Sequence, residues 1–268
     1  MKGRIEQRFA ALRERGETAL IPFLTAGDPD LGVTEALVRA MAEAGADAVE
    51  IGVPFSDPTA EGPTIQRSSE RALRAGVSLR NVLQLVKSLR GELEIPLILM
   101  GYANNFLTMG DAPFVEAAAA VGVDGTIIVD LPPEEGESFF AAQEAAGIDP
   151  ILLAAPTTTP ERLGMLAERT RGFLYYVSLT GVTGARDQVA GDVEESVKRA
   201  QAAGPCPVCV GFGISTPEHA AQIGSYADGV VVGSAIVDRI ESAAGPDEAV
   251  EAVARFVGEL KAALRASP

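Results

Sequence analysis

Eight short apolar runs, each followed by a longer segment of helical period, constrain the fold of this chain more than any other feature. The runs are "ALIPFLTAG", "DAVEIGV", "PLILMGY", "GTIIVD", "PILLAA", "GFLYYVS", "PVCVGFG" and "GVVVGSA". They are rich in β-branched residues and read as strands. Between them lie helix-period segments such as "VTEALVRAMAEAG", "ESFFAAQEAAG" and "VEESVKRAQAAG". Several end in Gly, a common helix stop. "TPERL" and "TPEHA" open with Thr then Pro, an N-cap followed by Pro in the first turn. Strands alternating with helices predict a parallel sheet, and eight strands close a barrel. The expected fold is α/β, a single (β/α)8 TIM barrel over residues 1–268 with an extra N-terminal helix. That helix, "RIEQRFAALRERG", would cap the barrel bottom or pack outside it. "DEAVEAVARFVGELKAALR" reads as the last outer helix. The rival is a doubly wound open sheet, but no GxGxxG follows the first strand. No linker, charge block or low-complexity stretch divides the chain.

The formal net charge of −15 disfavours nucleic acid and anionic membranes as partners, since both need a basic footprint. No signal core precedes the first strand and no apolar run reaches membrane-spanning length, so a cytoplasmic location is expected. The two cysteines, Cys206 and Cys209, occur as "CPVC" in an apolar strand. Their odd spacing puts them on opposite faces, which argues against a redox pair. With one His, His219, and no further Cys, no metal site is expected.

In "DAVEIGV" the alternation puts Val49, Ile51 and Val53 on one face and Ala48, Glu50 and Gly52 on the other. Branched residues suit the outer face, against the helices. Glu50 then points inward near the C-terminal mouth, where barrel active sites lie. A carboxylate there is paired, protonated or functional. The strand candidates contain no Lys or Arg to pair with it. Neither a His or Cys nucleophile near a strand end nor a strand lysine is present. Ser-His-Asp, metal-hydrolysis and PLP chemistry within this chain are therefore poorly supported. Carboxylate acid–base chemistry remains, with Glu50, Glu61 and Asp130 as candidates. Glu61 has a structural alternative, as an anion just before a helix that starts at Gly62–Pro63.

The late loops "SLTGVTGAR", "GFGIS" and "VVGSAI" bring glycines, Gly184, Gly213 and Gly233 among them, to the same mouth. One such turn is what any tight strand–helix connection needs. Three on adjacent strands suggest a phosphate held by backbone amides, with Gly233 and Ser234 opening a short helix in "GSAIVDRI". Phe23, Tyr102, Tyr175 and Phe212 fall at or near strand ends. Together they suggest a flat apolar substrate body beside the phosphate.

"LIPFLTAGDPD", "VEIGVPFSDPTAEGPTIQ", "MGYANN", "GTIIVDLPPEE", "GFLYYVSLTGVTGAR", "GFGIS" and "GVVVGSAIV" cover nearly the whole chain. In this order they resemble the tryptophan synthase alpha chain family. "EIGVPFSDP" and "SLTGVTG" are the specific motifs. The phosphate glycines are shared with other barrels. The resemblance implies retro-aldol cleavage of indole-3-glycerol phosphate to indole and glyceraldehyde 3-phosphate. It implies that Glu50 is the acid–base group that protonates the indole carbon, and that Thr183 helps to close the site. It implies a PLP-containing beta chain as partner in an alpha2-beta2 heterotetramer, with no cofactor in this chain. Two positions depart from the family pattern. Glu61 stands where the family typically has Asp bonding the indole N–H. The added methylene shifts the carboxylate by about 1 Å, a displacement that can cost on the order of a hundredfold in rate. Asn105 stands where related chains often carry Pro. The alternatives are a partner-activating subunit with weakened catalysis, a free-standing indole-glycerol phosphate lyase, and another phosphate-binding barrel lyase or isomerase.

Overall fold

The strand candidates all form parallel strands in a computed structural model that describes residues 3–177, 186–211 and 213–266. They are β1 (Ala19–Thr25), β2 (Val49–Gly52), β3 (Leu97–Gly101), β4 (Gly125–Ile128), β5 (Asp149–Ile151), β6 (Leu153–Ala154), β7 (Leu174–Val177), β8 (Val208–Gly211) and β9 (Gly229–Val232). The sheet order is β5-β4-β3-β2-β1-β9-β8-β7-β6. Its two end segments, β5 and β6, are consecutive stretches of one strand interrupted at Leu152, so the ends meet and the sheet closes into a barrel. The fifth apolar run thus forms two segments where the sequence predicts one. The cause is long-range. The Leu152 N–H donates to the Thr170 hydroxyl at 3.1 Å, while its carbonyl accepts from the Tyr175 N–H at 2.9 Å.

Strand alternation separates two cores. Along β3, Leu97 and Leu99 join the outer layer between sheet and helices, while Ile98 and Met100 join the barrel interior. β2 follows the same rule, with Val49, Ile51 and Val53 outside and Ala48 inside. The N-terminal helix Arg4–Arg15 caps the bottom. Its buried Ile5, Phe9 and Leu12 lie on one helical face and belong to the interior cluster. Each such burial stabilises by about 1.5–3 kcal/mol. Outer helices begin where the Thr-Pro signals place them. The Thr159 side chain accepts from the Arg162 N–H and the Thr216 side chain from the His219 N–H.

Three aspartates fasten the bottom edge. Asp47, Asp124 and Asp228 each accept, through the carboxylate, the N–H of the residue at the foot of the neighbouring strand: Leu20, Leu97 and Val208, at 2.8, 2.8 and 2.9 Å. Each also donates its own N–H to that residue's carbonyl. Basic partners complete the first two. Lys261, nearly fully buried, lies 2.7 Å from Asp47, and Arg90 lies 2.6 Å from Asp124.

Among the described residues no helix is long and apolar enough to cross a membrane.

Candidate active site

Inward parity carries Glu50 into the upper barrel, beside Phe23 on β1 and Ile98 on β3. It is 1% exposed, and neither carboxylate oxygen has a hydrogen-bond partner among the described residues. Burial, and then the charge of Glu61, push its pKa up to about 8. Glu61 is half-buried on the loop after β2, and burial pushes its pKa up to about 7. Its backbone is held at both ends: the N–H donates to the Pro58 carbonyl at 3.0 Å and the carbonyl accepts from Gln66 at 2.9 Å.

Both carboxylates line one cavity of about 420 Å³, a size that suits a small organic ligand. Phe23, Met100 and Tyr175 supply apolar walls. Glycines on neighbouring strands make room for the two aromatics. A Cβ on Gly52 would stand 2.6 Å from the Phe23 ring, and one on Gly211 would overlap the Tyr175 hydroxyl. Burial and the two acids raise the Tyr175 phenol well above its usual range, so it stays neutral.

The far end of the cavity is lined by Gly213, Ile214, Gly233 and Ser234. Gly213 has φ 78°, the left-handed region that favours glycine. Helix Ser234–Ser242 starts directly after β9 with Gly233 as its N-cap and no side-chain cap, which leaves its first N–H groups for a ligand. Arg239 lines the cavity, bonded to the Ala235 carbonyl and stacked 3.4 Å over the Phe256 ring.

The acid end and the glycine end are tied to each other. Helix Pro63–Arg74 starts two residues after Glu61. Its Thr64 hydroxyl donates to Asp238 at 3.0 Å, and its Arg67 and Arg71 each pair with Glu241 at 2.7 Å, on the helix that follows Gly233. Arg71 also forks onto the buried Asp28 with two bonds of 2.7 Å.

Two candidates sit apart from the main cavity. Tyr102 borders a small adjoining space with Phe23, Glu61 and Met100, and its hydroxyl accepts from the Ala60 N–H at 2.9 Å. Its phenol is pushed up to about 12, chiefly by burial. Asp130 accepts from the Ala103 N–H at 2.6 Å and is not part of the cavity wall. Thr183, Gly184 and Phe212 lie outside the described residues. Sequence reasoning missed Arg239, whose signal was its place four residues after Ala235 in "GSAIVDRI". It also missed the spacing roles of Gly52 and Gly211, which depend on bulky neighbours from adjacent strands. Among the described residues no group of three or more His, Cys, Asp or Glu side chains could hold a metal.

A family model described as "Tryptophan synthase alpha chain" matches residues 9–265. A tryptophan synthase alpha chain of Geotalea uraniireducens is 52% identical over 263 residues, covering 98% of each chain. One of Caulobacter vibrioides is 49% identical over 268 residues, covering 99% of this chain and 98% of that one. The crystal structure of a tryptophan synthase alpha chain from Legionella pneumophila superposes with a TM-score of 0.90 at 37% identity, covering 98% of each chain. A Mycobacterium tuberculosis tryptophan synthase chain gives 0.88 at 41% identity, covering 99% of each. The chain belongs to the tryptophan synthase alpha chain family.

Proposed function

We propose that this chain is the lyase subunit of a tryptophan synthase, cleaving indole-3-glycerol phosphate to indole and glyceraldehyde 3-phosphate. The observation that carries the reading is the pair Glu50 and Glu61. Two acids with raised pKa values share one end of an apolar cavity whose other end is built from glycines and a helix start. The indole ring lies between Phe23, Met100 and Tyr175. The phosphate takes the backbone amides around Gly213, Gly233 and Ser234, joined by Gly184.

Protonated Glu50 gives its proton to the ring carbon that carries the glycerol chain. The ionised Glu61 accepts a bond from the indole N–H and offsets the positive charge that develops on the ring. The carbon–carbon bond then breaks. Its electrons return to the ring, and the hydroxyl on the adjacent chain carbon becomes the aldehyde as its proton passes to the Glu50 carboxylate. Protons balance, and Glu50 is ready for the next turnover. Buried Tyr175 and Phe23 exclude water from the reacting carbon, Thr183 has the role of helping to close the site, and Phe212 that of an apolar contact for the ring.

No cofactor is needed in this chain for those steps. PLP belongs to the proposed partner, a beta chain in an alpha2-beta2 heterotetramer in the cytoplasm, which takes up the indole. No feature of the cavity or the family match favours a partner-activating subunit or a free-standing lyase. The test is indole release from indole-3-glycerol phosphate with and without a beta chain. Release that the beta chain accelerates supports the reading. No indole under either condition overturns it.

A further inference from the structure

The loop that carries Glu61 is held from outside itself, by the turn after β3. Near its start Pro54, two residues after β2, gives its carbonyl to the side-chain N–H of Asn105 at 3.0 Å. The same Asn105 side chain accepts the Tyr102 N–H at 2.9 Å. At the other end of the loop, the Tyr102 hydroxyl accepts from the N–H of Ala60, the residue before Glu61. Between them Phe55 stacks on the Tyr102 ring, with centroids 4.8 Å apart and planes 18° apart. The turn is itself anchored by Asp130, which accepts from the Ala103 N–H.

We infer that Asn105 is a positioning residue for Glu61, which fixes the start of the 54–62 loop while Tyr102 fixes its end. The chemistry of the bridge selects the side chain. A backbone N–H can only donate and a carbonyl can only accept, so a side chain that bridges the two through separate atoms must accept on one and donate from the other. An amide does this in one orientation. A carboxylate of the same shape keeps the bond to Tyr102 but sets a lone pair against the Pro54 carbonyl, and an apolar side chain makes neither bond. Glu61 works on the substrate through a carboxylate whose place is fixed by its loop, so loss of the bridge acts on catalysis through geometry.

The inference rests on the role given to Glu61 above, and the test separates the two. Steady-state indole release with the beta chain present is measured for Asn105→Ala and Asn105→Asp, each in the wild-type and the Glu61→Gln backgrounds. Both substitutions lower kcat roughly tenfold or more with KM changed by less than about twofold. In the Glu61→Gln background the same substitutions change kcat by less than about twofold, because the group they position is gone. Tyr102→Phe, which deletes only the bond to Ala60, carries the same expectation and keeps the test intact if Asn105→Ala lowers the melting temperature. Wild-type kcat in both Asn105 variants overturns the inference, as does an equal loss in the two backgrounds. If Glu61→Gln alone keeps the wild-type rate, the role of Glu61 falls first and the clamp with it.

Discussion

Glu61 raises the proton affinity of Glu50 across a cavity that both side chains line. Burial is the larger cause at Glu50, and burial is what lifts Glu61. With values of about 8 and about 7, Glu61 loses its proton first. Near neutrality the pair keeps one proton, on Glu50, which is the distribution the proposed cleavage uses.

The pH dependence of kcat/KM follows from that order. Activity rises as Glu61 ionises through about pH 7 and falls as Glu50 loses its proton through about pH 8. A narrow bell in a pH series of indole release is the expected result. A flat profile from about pH 6 to about pH 9 contradicts it.

Glu61 has two readings that one pair of variants separates. As the second working acid, Glu61→Gln loses much of the cleavage rate, while Glu61→Asp keeps or raises it by removing the added methylene. As a charge before helix Pro63–Arg74, Glu61→Gln loses a few tenths to about 1 kcal/mol of stability and little activity. Assays with the beta chain present keep loop closure from limiting the rate. Near wild-type cleavage by the Gln variant removes Glu61 from the mechanism.

The glycine end is tested by binding. Gly213→Val forces a branched residue to a φ of 78° and crowds the amides around it. Titration with an indole-propanol phosphate analogue measures the effect. Affinity should fall roughly tenfold or more, from loss of amide contacts to the phosphate. Unchanged affinity in the folded variant places the phosphate elsewhere.

The bottom of the barrel should behave oppositely. Asp47→Asn leaves the buried Lys261 ammonium without its closest carboxylate, and breaking such a pair costs about 3–5 kcal/mol. Thermal melting should show that loss, while kcat of the folded enzyme stays near wild type. A large fall in kcat at unchanged stability would contradict this division of the barrel into a stabilising bottom and a catalytic top.

Local pattern and long-range contact divide what the sequence made legible. Strand parity is a property of the backbone, so the inward placement of Glu50 and the outward placement of Val49 and Ile51 could be read from seven residues. The Thr159 and Thr216 caps are equally local. The break at Leu152 was not legible, because "PILLAA" is uniformly apolar and the interruption comes from Thr170, eighteen residues away. The aspartate staples had a signal in "GADAV", "GVDGT" and "YADGV", an Asp at the foot of a strand, but their partners lie on the neighbouring strand. Tyr102 could be placed near a strand end, yet nothing near it in sequence reveals a bond to Ala60, 42 residues earlier. Asn105 stood out as unusual, and its bridge to Pro54 appears only once the two loops are side by side.

Glu50→Gln tests the central assignment most directly, through paired measurements of indole release and melting across pH. The amide keeps the shape and cannot transfer the proton, so cleavage should be abolished. The fold should survive and gain stability at alkaline pH. Wild-type Glu50 has its proton affinity raised by folding, from 4.5 to about 8, so its contribution is fully present below about 4.5 and is lost as pH rises through about 8. The variant should therefore melt at or above the wild-type temperature above pH 8, with an advantage on the order of a few kcal/mol that disappears near pH 4. Wild-type turnover in a folded Glu50→Gln protein would contradict the assignment of the acid–base step to this residue.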